Sequence, residues 1–547
     1  MAVLRTRSSR ADIAVVTCLC AFGAAIRIPG LTSRDLWFDD SWAALPAHVS
    51  LHDALRMVVT TPLYTLAMRT WIGALPQDTW WAQLPALVLG VVGIAAVWAI
   101  VRAHGYSRLA AFVGATLIAV GPVTVTYSAR VKEYSADLLL ACLVLWLVER
   151  WRRSPSSRSL TALAVASVGA LWISASTAAV VGGAAATTML VAWSRPELRR
   201  QVGALLGALV VGAASVWVVF LRHLPGQLRT NWRTHGYLVG YSSARHVAYS
   251  FQQTFAGVAH GLFGLPIAYT FQGYSLRAWP LVLASVTFLA LACAVVAPLG
   301  AALRTRGAGT TPTTASAATI CLAVIGTLAG VAPFGDGRTD EALYPALVLL
   351  GVGAASALAS RASVRDTLRH SARVALVGVI AVVAMVFGLR HLAEYPPTGL
   401  RTVWAQLQPL LRPGDLVVVD GYEQFTWADE GLEPWRASFQ RDTVPWPMGF
   451  HVVSASQGID LSPEYLQPDP QLPALVANAS RVWLIGPTVG GFSTSAPKAL
   501  WNNEFPSPTV SELEGTPKHP GLLRIGKTFF ESGGAYVQLF VHPSRRS

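Results

Sequence analysis

Apolar residues run along this chain in long blocks rather than in alternation. The stretch LVLASVTFLALACAVVAPLGAAL at 281–303 contains no charged residue. Blocks of about 18 or more apolar residues predict helices that cross a bilayer. About eleven such spans are read, at roughly 11–30, 82–102, 108–126, 136–150, 159–175, 177–194, 202–221, 278–301, 315–333, 342–360 and 373–390. Short loops between them carry arginine clusters: Arg5, Arg7 and Arg10; Arg150, Arg152, Arg153 and Arg158; Arg195, Arg199 and Arg200; Arg304 and Arg306; Arg361, Arg365, Arg369 and Arg373. With the N-terminus inside, every cluster falls on the cytoplasmic face, as the positive-inside rule demands. The odd span count then puts the C-terminal part outside.

Three polar segments fall on the outer side of this topology. Residues 31–81 are too polar to span yet rich in Trp and Leu, which predicts amphipathic helices at the membrane surface. Residues 222–277 break the positive-inside trend with Arg222, Arg229, Arg233, Arg245 and Arg277. No acidic residue occurs between 198 and 335, so this loop suits an anionic ligand. In residues 391–547 the apolar blocks give way to strand patterns. DLVVVDG (415–421), RVWLIGP (481–487) and GAYVQLFVHP (534–543) read as strands, and TVWAQLQPLL (402–411) as an amphipathic helix. The expected organisation is a membrane domain over 1–390 and a small extracytoplasmic α/β domain over 391–547.

Composition agrees with that reading. Of 547 residues, 53% are hydrophobic and 13% charged, with mean hydropathy +0.46. A soluble domain carries about 25% charged residues. The net charge of +13 would suit nucleic acid, but the arginines follow the loops instead. All five cysteines lie in apolar blocks and read as small core residues.

Three stretches carry candidate chemistry. LWFDDSWAAL (36–45) sets Asp39 and Asp40 among Trp37, Phe38 and Trp42. Adjacent carboxylates do not ionise independently, so one is suited to act as a general base. A helix cap accounts for one of them equally well. A divalent cation is a third reading, since hard cations take carboxylates, but the loop offers only Asp53 beyond the pair. GPVTVTYSARVKEYSADLL (121–139) places Arg130, Lys132 and Tyr134 at an outer boundary, with Glu133 and Asp137 beside them. A guanidinium fork and an ammonium can clamp a phosphate. The same residues alone are equally well explained as interfacial side chains reaching for headgroups. APFGDGRTDEALYPAL (332–347) packs Asp336, Arg338, Asp340 and Glu341 into a Gly-rich turn, which by itself reads more simply as a charged turn.

The topology puts all three stretches on one side of the membrane. A base, a phosphate clamp and a wet boundary fit transfer of a sugar from a lipid-phosphate carrier to an acceptor outside. The cations would stabilise the phosphate leaving group.

At this point the chain resembles the GT-C glycosyltransferases, in particular the branch of protein mannosyltransferases and lipid A aminoarabinose transferases. The elements that carry the resemblance are FDDSW (38–42), TTPLYTLAMRTW (60–71), WAQLPALVLGVVG (81–93), GPVTVTYSARVKEYSAD and PFGDGRTD. Lys132 stands where the family often has Arg. Thr60 and Thr61 replace a His-Pro pair, Asp40 replaces a Glu, and Gln83 replaces an Arg. The resemblance implies a mainly α, polytopic GT-C fold. It implies inverting transfer from a polyprenyl-phosphate sugar, with Asp39 as base and Asp40 as its partner. Arg130, Lys132 and Tyr134 would hold the donor phosphate, joined by Arg338. Trp37, Tyr64, Glu133, Asp137, Asp336, Asp340, Arg229 and Arg233 are further candidates for the pocket. The expected partners are a polyprenyl-phosphate sugar, a glycan, lipid or protein acceptor, and membrane lipid. The expected location is the plasma membrane.

Two other classes compete. A transporter of lipid-linked sugars would place ionisable groups near mid-membrane and show internal repeats. No repeat is visible, and Arg27 is the one candidate for an intramembrane charge, near the outer end of its span. A glycan-binding scaffold would leave the acidic pair and the Arg130–Lys132–Tyr134 group without a task.

Overall fold

The computed structural model describes residues 10–32, 36, 40, 43–47, 50–56, 60–74, 79–223, 258, 268–270, 273–275, 292–308, 310–329, 334, 340–361, 386, 400–419, 444–445, 451–454, 456–459, 466–468, 472–479, 481–487, 515–516, 519–520, 523–532 and 535–541. Contacts group the chain into two compact units. One comprises 1–28, 60–64 and 85–392, the other 29–59, 65–84 and 393–547. Most of the first outer loop, expected within the membrane domain, therefore groups with the C-terminal segment.

The first unit is helical. Its first helices are α1 (Arg10–Thr32), as far as Ile28, and α4 (Thr79–Ala103), from Pro85 onward; between them in the chain, α2 (Leu51–Arg56) belongs to the second unit and α3 (Pro62–Gly73) is divided between the two. The expected span at 108–126 is two helices, α5 (Arg108–Val120) and α6 (Pro122–Tyr127). Pro122 has no N–H to continue the ladder and disfavours α geometry at the residue before it. Gly121 accordingly adopts φ −59°, ψ 127°. α7 (Tyr134–Arg153), α8 (Ser157–Ile173), α9 (Ala178–Ser194) and α10 (Arg199–Val219) follow. After α11 (Ala292–Arg304) come α12 (Thr314–Leu328) and α13 (Tyr344–Arg361).

Among the described residues, four helices, over Arg10–Leu31, Trp80–Ala103, Ala175–Ser194 and Pro196–Val219, are long and apolar enough to cross a membrane. Arg108–Val120, Ser157–Ile173, Ala292–Arg304, Thr314–Leu328 and Glu341–Ser356 are shorter apolar helices. The expected span at 373–390 lies outside the described residues, Val386 apart. With these helices the chain is a membrane protein.

α7 is the hub of the first unit and packs against α8, α9, α13 and the turn at Glu341–Leu343. Its buried face includes Leu138, Ala141, Leu145 and Val148, spaced at helical period, while Leu143, Trp146 and Arg150 point away. α9 and α12 meet through small residues. A Cβ on Gly183 would lie 2.7 Å from the Thr319 backbone nitrogen and 2.9 Å from the Ala315 carbonyl oxygen. Such backbone approach is how helices gain dispersion contact when lipid offers no hydrophobic drive.

The second unit contains a six-stranded sheet. Its strands are β1 (Asp415–Val419), β2 (Val444–Pro445), β3 (His451–Ser454), β4 (Arg481–Pro487), β5 (Leu523–Ser532) and β6 (Ala535–Val541). Their order is β5-β6-β4-β1-β3-β2, with β1 parallel to both β4 and β3 and the other pairs antiparallel. Alternate side chains serve opposite faces. Val417, Val419, Trp483 and Ile485 pack against Leu400, Val403, Trp404 and Leu407 of α14 (Leu400–Leu407). Leu416, Val418, Val482 and Leu484 face Leu475, Val476 and Ala479, at the end of α15 (Leu472–Asn478). Double cover explains why DLVVV is uniformly apolar after its first residue.

Candidate functional site

The described candidate residues of the first unit converge on the link between α6 and α7. After Tyr127 the chain makes tight turns, with Ala129 N–H donating to the Thr126 carbonyl and Arg130 N–H to the Tyr127 carbonyl. Val131 is buried, and half-buried Arg130 and Lys132 flank it. A buried Val between two cations makes the turn an anchored platform for positive charge. Tyr134 opens α7, and its ring meets Tyr127 edge-on with centroids 4.8 Å apart. Ser135 Oγ donates to the Tyr127 carbonyl at 3.3 Å, closing the turn from the α7 side. Among the described residues, Lys132 makes no hydrogen bond or ion pair.

Asp137 lies one turn into α7 and is fully buried. Its charge is coupled to those of Glu133 and Glu341, and the Ser174 hydroxyl approaches it. Glu341 is 1% exposed, and its Oε1 has no hydrogen-bond partner. Asp340 is fully buried, and its carbonyl accepts from Leu343 N–H at 2.7 Å. Asp340 and Glu341 thus enter the interior, where a plain charged turn would leave them in water. Tyr64 is buried at the start of α3. In the Thr60–Thr61 pair, both residues are buried and the Thr61 hydroxyl donates to the Ile173 carbonyl. Where the resembling family has His-Pro, this chain satisfies an open carbonyl at the end of α8.

In the second unit, Asp40 is fully buried with helical backbone. Elsewhere in that unit, Arg69 Nη1 donates to the Pro46 carbonyl at 2.5 Å, and the rings of Trp71 and Trp81 stack at 4.8 Å. Asp39, Trp37, Asp336, Arg338, Arg229 and Arg233 lie outside the described residues. Among the described residues, no three His, Cys, Asp or Glu side chains are grouped to hold a metal ion.

Two residues absent from the expected site organise it. Arg27 of α1 is 1% exposed. Its Nη1 donates to the carbonyls of Ala119 (2.6 Å) and Gly23 (2.9 Å), and its Nη2 to the Ile118 carbonyl (2.9 Å) and Thr124 Oγ1 (3.5 Å). Its Nε donates to Ser128 Oγ at 3.0 Å, and Ser128 Oγ donates in turn to the Thr124 carbonyl. The break at Gly121–Pro122 leaves the last carbonyls of α5 without intrahelical partners. Arg27 supplies the missing donors. The signal in the sequence was a lone arginine within an apolar block, followed some 90 residues later by Gly-Pro; nothing local links the two.

Residues 61–220 match the family model described as dolichyl-phosphate-mannose-protein mannosyltransferase. No curated protein matches the chain. The crystal structure of ArnT from Cupriavidus metallidurans bound to undecaprenyl phosphate superposes with TM-score 0.51 at 13% identity, covering 96% of this chain and 97% of that one. Its apo form gives TM-score 0.52 at 13% identity, covering 97% and 98%. At such identity the likeness speaks for the fold. By the matched segment and by the fold shared along nearly its whole length, the chain resembles the GT-C membrane glycosyltransferases of the protein mannosyltransferase and aminoarabinose transferase branch.

Proposed function

We propose that this protein transfers a sugar from a polyprenyl-phosphate carrier to an acceptor outside the cytoplasm, with inversion at the anomeric carbon. The observation that carries the reading is Lys132, a half-buried ammonium without a partner among the described residues, carried with Arg130 on an anchored turn. That turn lies inside the segment matching the mannosyltransferase model. The undecaprenyl phosphate named for the ArnT structure supports a lipid phosphate as the anion.

Lys132 and Arg130 would bind the donor phosphate and offset the charge that builds on it as the glycosidic bond breaks. Tyr134 and Arg338 would add donors. Asp39 would take the proton from the acceptor hydroxyl or amine. Asp40, buried, would serve as its partner. Glu133, Asp137 and Asp340 would line the acidic side of the pocket, with Tyr64 and Trp37 as apolar walls. Arg229 and Arg233 would meet an anionic portion of donor or acceptor. The acceptor is a cell-wall glycan, a lipid or a protein. The protein would sit in the plasma membrane with its C-terminal segment outside.

The test is transfer in purified membranes with a panel of labelled polyprenyl-phosphate sugars. Wild type should consume one donor, Lys132→Ala should raise its KM, and Asp39→Asn should lower kcat by two or more orders of magnitude. Both variants turning over like wild type would remove the assignment. Lipid-linked sugar crossing vesicles without being consumed would establish a transporter instead.

A further inference from the structure

Every hydrogen bond of the Arg27 guanidinium runs to a carbonyl or hydroxyl oxygen. No carboxylate lies within ion-pair distance of it among the described residues; Glu341 is coupled to it only through space. Burying a cation in this way costs several kcal/mol unless its donors are well used. Here five contacts use them, and all but the one to Gly23 fall on the segment from Ile118 to Ser128. That segment ends two residues before Arg130. The packing makes room for this arrangement. A Cβ on Gly23 would lie 3.3 Å from Arg27 Nη1, and one on Gly90 would lie 2.1 Å from Ser128 Oγ.

We infer that Arg27 is a positioning residue for the phosphate-binding turn, acting through Ser128. Its guanidinium clamps both sides of the α5–α6 break, and its Nε fixes Ser128 at the first position of the turn that carries Arg130 and Lys132. On the far side the Tyr127–Tyr134 contact and the Ser135 hydrogen bond hold the same turn. The turn is thus pinned at both ends, and the ammonium between them stands pre-organised for an anion. Pre-organisation raises affinity by removing the ordering cost from the binding step. The inference rests on the reading of Lys132 as a phosphate ligand.

The experiment measures equilibrium binding of undecaprenyl phosphate to the full chain in lipid nanodiscs. It compares wild type, Ser128→Ala, Lys132→Ala and the double variant, with thermal melting recorded for each. Ser128→Ala removes one acceptor from Arg27 and is the gentler probe; Arg27→Lys is run beside it. Ser128→Ala is expected to weaken binding by about 5- to 10-fold, the size of one ordinary hydrogen bond. On the Lys132→Ala background the same change should cost less than about twofold, since its effect passes through Lys132. Arg27→Lys should follow the same pattern wherever it folds. Equal losses on both backgrounds would mean a merely structural role and overturn the inference. So would unchanged binding by Ser128→Ala when Lys132→Ala binds weakly. If Lys132→Ala binds like wild type, the phosphate reading falls, and the positioning role with it.

Discussion

A methyl group placed on Gly90 would sit 2.1 Å from the Ser128 hydroxyl oxygen and 2.9 Å from its Cβ. α4 can pass the start of the turn that carries Arg130 and Lys132 at this distance only because Gly90 has no side chain. Gly90→Ala should therefore displace Ser128 and destabilise the protein by about 1–3 kcal/mol, the usual cost of overpacking. Gly169→Ala and Gly207→Ala, where no atom lies within 4 Å of the new Cβ, should be neutral or stabilising by up to about 1 kcal/mol. Melting curves of the three variants in one detergent test the contrast. Similar losses at all three positions would contradict it.

At the other end of α7, Glu149 accepts from Arg152 Nε at 2.7 Å and Nη2 at 2.9 Å, and from Arg153 Nε at 2.6 Å. Arg152 also donates to the Thr310 carbonyl at 3.1 Å, tying α7 to the chain just ahead of α12. Glu149→Ala would strip both arginines of their buried acceptor. A loss of about 2 kcal/mol is expected, moderated by the exposure of Arg153. Chemical denaturation in mixed micelles would measure it.

The loop between α4 and α5 holds His104, buried, with Nδ1 2.8 Å from the Ile100 carbonyl. Burial holds its imidazole below the ordinary histidine range, while Glu149 pulls the other way and Arg153 and Arg152 reinforce the depression. The unfolded chain then takes up a proton near pH ~6.5 that the folded chain refuses. Stability should be flat above that pH and fall as pH drops from ~6.5 toward the folded value. His104→Gln should flatten this part of the profile. Melting temperatures between pH 5 and 8 would show whether the slope belongs to His104.

Asp137, Glu133 and Glu341 share one interior region of the first unit. Asp137→Asn keeps the shape, removes one of three neighbouring carboxyl groups and offers an amide donor to the other two. The variant should melt at or above the wild-type temperature. A marked drop would show that the carboxylate is held by a cation when the protein is folded.

In the second unit, Asp415 and Arg481 stand opposite each other on parallel strands β1 and β4. The carboxylate accepts from Arg481 Nε (2.8 Å), Trp483 Nε1 (3.1 Å) and Arg412 N–H (2.8 Å). Asp415→Ala would leave a guanidinium and an indole N–H without their acceptor at the edge of the core. A cost of about 3 kcal/mol is expected. Limited proteolysis should then cut the C-terminal segment first, with the α4–α10 fragment intact.

What the sequence disclosed was whatever its periodicity encodes. The apolar blocks located α1, α4 and α8 to α10 within a few residues. DLVVV, RVWLIGP and AYVQLFV were legible as strands because covered strands are apolar throughout or alternate. The break at Gly121–Pro122 was written in the sequence too, but a hydropathy pattern reads through a proline and merged α5 with α6. Arg27 stood out as a charge in an apolar block. Its acceptors lie 91 to 101 residues away, apart from Gly23, so its task was invisible without the fold. Asp340 and Glu341 read as an exposed charged turn because spacing says nothing about burial. The grouping of residues 29–59 and 65–84 with the C-terminal segment is likewise a matter of long-range contact, which no local pattern carries.

The Arg27 network also bears on how the first helix can be exchanged. A signal-anchor of equal length and hydropathy would insert in the bilayer as well as α1 does. It would leave the buried Ala119 carbonyl without the donor that Arg27 supplies. A chimera built on hydropathy alone should reach the membrane and still fail to assemble the α5–α6 break. Grafting back a single arginine, with glycine four residues before it, should restore the fold.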